Sequence, residues 1–447
     1  MLILKRIRLS LQQGIALGFL MIIILGTVLL MLPLSNRSGQ ALGFSEALFT
    51  ATSATCVTGL VIFDTFTQFT RFGQLVILAL IQIGGLGFMS VSIFFLIIMG
   101  KKIGIKERSL LMESISTPQI GGAVRLVKRV LLITVLFELL GAFLLSLRFI
   151  PLMGTAKGVY FGIFHAISAF CNAGFDLMGS LEPYVSLMPF AKDAVVSLTV
   201  LGLIVVGGIG FIVWDDLIRH GLRVSHYKLH SKVVLSVTLA LIVLSTALFF
   251  FLEKDHAFAD MPAGERLLAA LFQAVTPRTA GFSTVDTTSL SEVGIVMTMV
   301  LMFIGASPGS TGGGVKTSTF LVILLSVVSY ARSRNDLNVY GRRLEDSLIR
   351  RAFSSVTVYL MLVVSGVMLI LLSQNLPFEK VLFEVFSAIG TVGLSLGVTR
   401  ELNSYSRYII IFLMYIGRVG SLSLAMALAE RKHQNVLRNI PEKISIG

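Results

Sequence analysis

The chain has 447 residues, of which 55% are hydrophobic and only 14% charged, against about 25% charged residues in a soluble domain, so its composition argues against a soluble enzyme. Its 37 Lys and Arg against 24 Asp and Glu give a net charge of +13. The basic residues are confined to short gaps between long apolar runs, which argues for a membrane-orientation signal and against a nucleic-acid partner.

Runs long enough to cross a hydrocarbon core, about 20 residues each, occur near 15–33, 74–99, 130–147, 194–214, 233–252, 293–330, 352–373 and 408–429. The first follows Lys5, Arg6 and Arg8 like a signal peptide, but it exceeds the ~7 to 15 residues of such a segment and lacks a small-residue cleavage site, so it is read as a retained span. Two cysteines, Cys56 and Cys171, are too few for a disulfide framework.

Eight spans put both termini on one side. The N-terminus, the segments near 100–129, 215–232 and 331–351, and the C-terminus hold 24 of the 37 basic and 9 of the 24 acidic residues. That side is cytoplasmic by the positive-inside rule. Glu138, Lys316 and Arg418 are left inside spans.

Each outer connection carries an apolar stretch of about 10 residues, of re-entrant length, ending in glycine: FTATSATCVTGL (49–60), FHAISAFCNAGF (164–175), LFQAVTPRTAGF (271–282) and FEVFSAIGTVGL (383–394). Without gaps, all four place Gly in the eleventh column. A second glycine follows an apolar residue in the next span, at Gly84, Gly207, Gly305 and Gly417. The unit is therefore span, re-entrant helix, glycine turn, span, repeated four times.

Non-helical backbone at membrane depth survives only where it lines water or is buried in protein. Four equivalent turns around one axis meet that condition by pointing carbonyls inward, where they replace the water around a dehydrated cation. The short helices before them aim negative C-terminal ends at the same place. The residues placed in this ring are Thr55, Cys56, Val57, Thr58 and Gly59; Phe170, Cys171, Asn172, Ala173 and Gly174; Pro277, Arg278, Thr279, Ala280 and Gly281; and Ile389, Gly390, Thr391, Val392 and Gly393. The other reading of these glycines is tight helix packing. Asp64, Asp176 and Asp286 follow the turns closely, either as cation concentrators at the mouth or as ordinary loop carboxylates.

In the third unit the second span is interrupted by Gly305, Ala306, Ser307, Pro308, Gly309, Ser310, Thr311, Gly312, Gly313, Gly314 and Lys316, a composition no continuous helix accommodates. The stretch GSTGGGVKT differs from a phosphate-binding Walker loop because Val315 separates glycine from lysine. Arg418 aligns with Ala306, so both features fall at one depth. A charged residue in mid-span faces a cavity or the bundle interior, which makes Arg418 an electrostatic barrier in the cation path, or else a structural residue paired with Glu138 or backbone carbonyls. Lys316 is also placed to extend toward the cytoplasmic interface.

With four filter-type glycines, the CNAGF of 171–175, the RTAGF of 278–282 and the GASPGSTGGGVKT of 305–317, the chain resembles the Trk/Ktr/HKT superfamily of potassium transporters, and its size and early first span are most similar to the KtrB branch. The resemblance implies an all-α membrane protein of four M1-P-M2 repeats around one pore, divided at 1–107, 108–224, 225–343 and 344–447. It implies a non-enzymatic, sodium-dependent potassium uptake subunit, by channel or symport, in a bacterial cell membrane, with the loop and Arg418 as its gate. It further implies K+ as cargo, Na+ as coupling or activating ion, a homodimer in the lipid bilayer, and a cytosolic RCK (KTN) nucleotide-binding ring of the KtrA type as partner. The alternatives are a sodium-selective uptake protein of the same fold and the ion-translocating subunit of an ATP-driven potassium pump.

Overall fold

The computed structural model of the protein describes residues 11–87, 123–221, 223–333 and 336–420. Among these residues the architecture is helical apart from one small antiparallel hairpin, β1 (Asn338–Val339) with β2 (Arg342–Arg343).

The helices follow a recurring order. Long α1 (Leu11–Met31) precedes short α2 (Phe44–Thr55), the one-turn α3 (Thr65–Gln68) and α4 (Arg71–Leu86). Long α5 (Ala123–Met153) precedes α6 (Thr155–Phe170), then α7 (Ala194–Gly208) and α8 (Phe211–His220). Long α9 (Leu229–Leu252) precedes α10 (Ala263–Val275), then α11 (Glu292–Phe303) and α12 (Thr317–Ala331). Long α13 (Asp346–Ser373) precedes α14 (Phe378–Gly390) and α15 (Ser404–Val419).

Among the described residues, α1, α5, α9 and α13 are long and apolar enough to cross a membrane. Their outer faces carry Met21, Leu132, Phe143, Phe251, Met361 and Leu372, each more than half exposed. A soluble monomer does not present apolar surface on this scale; a helix facing lipid does. The short helices lie innermost, with Phe49, Phe164, Phe272 and Phe383 fully buried.

Packing between units runs in a cycle. Helix α4 packs on α6, α7 on α10, α11 on α14, and α15 returns to α2. Each unit thus lays its second helix against the next unit's short helix, and the fourth closes on the first.

The run at 194–214, expected as one straight span, is instead two helices bent by 97°. Its cause is Gly210, at φ +96°, a conformation foreign to an α-helix, while apolar composition continues unbroken past it. Helix α4 stops at Gly87 (φ +78°) and α15 at Gly420 (φ +96°). Gly87, Gly210 and Gly420 each lie three residues after the second glycine of their unit, and Pro308 holds that position in the third. Three second helices therefore break at one level, and that of the third unit, α11, ends about a turn earlier at Phe303. The remainders of two expected spans, 88–99 and 421–429, and the division at 107/108 lie outside the described residues.

Candidate ion pathway

Helices α2, α6, α10 and α14 run into the same backbone figure. Two residues before each window glycine the chain is left-handed, at Val57, Asn172, Thr279 and Thr391 (φ 57°, 58°, 77° and 51°). The glycines Gly59, Gly174, Gly281 and Gly393 are left-handed too, at φ 92°, 70°, 77° and 97°. Such a conformation costs a non-glycine residue about 1–2 kcal/mol, so its fourfold recurrence requires support from behind.

That support comes from the short helices. The amides of Thr58, Ala173 and Val392 donate to the carbonyls of Ser53, Ser168 and Ser387, each at 2.8 Å, and Ala280 donates to Thr276 at 2.9 Å. The Gly59 and Gly393 amides also donate to the Ser53 and Ser387 hydroxyls, at 3.1 and 3.0 Å. With these N–H groups satisfied behind the turn, the carbonyls are left for the other side.

The four turns meet one another in order. A β-carbon built on Gly59 would lie 2.6 Å from the Ala173 carbonyl, and one on Gly174 2.8 Å from that of Ala280. One on Gly281 would strike the Val392 carbonyl, and one on Gly393 that of Thr58. The ring is closed, and each glycine is required by its neighbour's backbone as well as by its own φ. Side chains of the eighth column turn away from this ring: Cys171 Sγ reaches Gln82 Oε1 at 3.5 Å, and Arg278 donates to the Thr238 hydroxyl at 3.5 Å.

Outside the ring is a cavity of ≈190 Å³ lined by all four glycines, Asp64, Asp176, Asp286 and Arg400. Asp64 is more than a mouth charge: it caps α3 through the Thr67 amide at 2.8 Å and accepts from the Tyr184 amide at 3.1 Å, tying the first two units together. Asp286 caps the turn at Thr287–Ser289. Burial pushes the Asp176 carboxyl up to about 7; the Met178 amide opposes the shift and the Asp64 charge adds to it. Below that pH Asp176 is neutral and the mouth loses a negative charge. The apparent KM for rubidium uptake is accordingly expected to rise about two- to threefold from pH 7.5 to 6. Asp176→Asn should remove that step.

Beneath the ring, the second glycines of three units touch the ends of their own short helices. Any side chain on Gly84, Gly207 or Gly417 would collide with the carbonyl of Thr55, Phe170 or Ile389 respectively. Gly207→Ala is expected to lower stability by about 1–3 kcal/mol through overpacking, read as a lower melting temperature in detergent. Gly202→Ala, on the same helix with nothing within 4 Å of the added carbon, should not lower it.

The segment between α11 and α12 crosses directly under the ring. β-carbons on Gly312 and Gly313 would strike the hydroxyls of Thr279 and Thr391, the left-handed residues of the third and fourth turns. The segment is anchored at its ends by the Gly305 amide on the Val315 carbonyl (2.9 Å) and the Ser307 and Thr317 hydroxyls (3.0 Å). It is anchored across the bundle by the Ser307 and Thr311 amides on the carbonyls of Gly208 (3.0 Å) and Gly207 (3.3 Å). Lys316, expected to extend toward the cytoplasmic interface, instead folds back to donate to the Gly312 and Gly313 carbonyls at 2.8 and 3.2 Å.

Arg418 donates to the carbonyl of Thr311 in this segment and, in the neighbouring first unit, to those of Gly84 and Gly85, the last at 3.1 Å. It is not paired with Glu138, which accepts from Gln82 at 3.3 Å. Below the segment opens a cavity of ≈780 Å³ lined by Gly312, Gly314, Lys316, Arg418, Phe19 and Tyr359 among others. The two cavities are thus separated by the ring and the segment.

Residues 13–437 match the family model TrkH, described as a cation transport protein. The chain belongs to the TrkH family. It is 42% identical over 436 residues to the Ktr system potassium uptake protein B of Bacillus subtilis (strain 168), covering 97% of this chain and 96% of that one. It is 41% identical over 428 residues to the potassium/sodium uptake protein NtpJ of Enterococcus hirae, covering 95% and 94%. The crystal structure of the potassium transporter TrkH from Vibrio parahaemolyticus superposes with a TM-score of 0.73 at 19% identity, over 95% of this chain and 86% of that one. That last likeness gives the fold.

In this TrkH-family chain the four turns meet at their glycines, with the loop and Arg418 beneath them, while the Cys171 and Arg278 side chains point away. Sequence reasoning missed the residues behind the ring. Ser53, Ser168 and Ser387 share the fifth window column, a signal available from the aligned windows. Glu384 holds the Ser395 hydroxyl at 2.7 Å and that of Thr399, and His165 accepts from the Leu177 amide at 3.3 Å; both occupy the second column, where no shared residue type announces them.

Proposed function

We propose that this chain takes up potassium as the ion-translocating subunit of a Ktr-type system, with four M1-P-M2 repeats surrounding one pore. The observation that carries the proposal is the closed ring of Gly59, Gly174, Gly281 and Gly393, with the amides of Thr58, Ala173, Ala280 and Val392 tied back to the short helices. Such a ring offers a dehydrated cation oxygen ligands on all sides. The relatives' names, potassium uptake and potassium/sodium uptake, support potassium as cargo and sodium as a coupling or activating ion.

The ring is the selectivity filter. The segment 305–316 with Arg418 is the gate, since it lies across the path between the two cavities with a guanidinium in it. Alternation of charge along the sequence supports cytoplasmic termini in a bacterial cell membrane. The system names borne by relatives support further subunits, and a homodimer with a cytosolic nucleotide-binding ring is the assembly proposed.

Rubidium uptake in a host deficient in potassium uptake tests this reading. Uptake stimulated by sodium and by a co-expressed ring protein is the expected result. Sodium uptake unaffected by competing potassium would favour the sodium-selective alternative and reject potassium selectivity.

A further inference from the structure

The bend between α7 and α8 breaks hydrogen bonds that the segment under the ring replaces. In a continuous helix, the carbonyls of Gly207 and Gly208 would accept from the amides of Phe211 and Ile212. Here Gly207 accepts from Thr311 and Gly208 from Ser307, while the Phe211 amide donates to Gly309 at 2.8 Å. Three groups freed by the break are thus taken by one loop. Gly210 allows the loop this close: a β-carbon there would lie 2.6 Å from the Pro308 carbonyl. At the matching positions of the first unit, the Gly84 and Gly85 carbonyls are taken by Arg418.

We infer that the loop and the α7–α8 bend form a single two-state device, in which the open state of the loop is the state where α7 and α8 join into one continuous helix. The inference rests on the loop being the gate and assigns that gate its regulation. A loop that simply left would strand buried polar groups on both sides, which is costly. Joining the helix gives Gly207 and Phe211 each other as partners, so the groups freed on the helix side stay satisfied in both states. The two arrangements exclude each other because they compete for the same carbonyls and amides.

The resting state is set by what holds α8 down. Val213 packs with Ile209 and Val234, and Trp214 lies 5.0 Å from Phe137, ring centroid to ring centroid. Asp215 pairs with Arg129 at 2.5 Å and Arg219 at 2.8 Å, and Asp216 accepts from the Ser231 hydroxyl at 2.6 Å. These contacts favour the bent, closed form. They also make α8 the handle through which a pull from the cytoplasmic side would reach the gate.

Spin labels on Val195→Cys and Ile218→Cys measure the bend in the full chain; the native thiols Cys56 and Cys171 are buried. At 1.5 Å per residue the labelled backbone positions lie about 23 Å apart in the bent form and about 34 Å apart in a continuous helix. Deleting residues 309–313, or making Gly210→Ala with the loop intact, should move the distance distribution toward the longer value and raise rubidium flux. A short distance kept in both variants overturns the coupling, whatever the flux does. If either variant conducts faster at the short distance, the gate reading survives and the coupling fails; if the helix straightens without faster flux, the coupling holds and the gate reading fails.

Discussion

Gly281→Ser is expected to lower the preference for potassium over sodium by roughly tenfold or more, measured as competition between rubidium and sodium uptake. Two effects act together. Serine at φ +77° carries about 1–2 kcal/mol of left-handed strain, and its β-carbon overlaps the Val392 carbonyl while lying 3.2 Å from the Cα atoms of Gly174 and Gly393. Neither term is relieved without moving a carbonyl of the ring, and a change of about 1.4 kcal/mol in the relative binding of two ions is tenfold in their ratio. Because the ring is closed, Gly59→Ser should act similarly, through Ala173 and Gly174. Gly264→Ser, in α10 with nothing near its added carbon, controls for expression and should leave discrimination unchanged. Retained selectivity in both filter variants would reject the ring as the selecting element.

Arg418→Ala is expected to raise the rate of uptake by about tenfold or more while leaving ion discrimination close to native. The guanidinium holds the Thr311 carbonyl to those of Gly84 and Gly85, and a hydrogen bond to a charged group is worth about 1.5–3 kcal/mol. Among the described residues no carboxylate pairs with it, so its charge stands unopposed beside the proposed cation path. Arg418→Lys separates charge from geometry. An ammonium keeps the charge but cannot span carbonyls on both sides as the planar fork does, so its rate should fall between native and Ala. Native rate in the Lys variant would mean that charge alone closes the path.

Much of this site was legible in the sequence because its essential elements are local. Each turn is encoded within twelve residues with a glycine in the eleventh place, and the break between α11 and α12 announces itself by composition. The bend at Gly210 was not legible from hydropathy, since a run of apolar residues looks the same straight or bent. Its signal lay in the spacing of Gly207 and Gly210, shared with Gly84 and Gly87 and with Gly417 and Gly420, and was visible only once the windows had been aligned. The partners of Arg418 and Glu138 were beyond reach for a different reason: Thr311, Gly84 and Gln82 lie far away in sequence, and backbone carbonyls carry no residue-type mark. Asp64 shows the same limit. A carboxylate five residues past a window glycine gives no sign that it will bind the amide of Tyr184 in the next unit.

The central claim is that a cation is held on the axis of the four glycines. Anomalous diffraction from crystals grown in rubidium tests it most directly. The account predicts a peak on the axis between Gly59, Gly174, Gly281 and Gly393, displaced by potassium and not by an equal concentration of sodium. Rubidium bound elsewhere with an empty axis, or an axial peak that sodium displaces as readily as potassium, would contradict it.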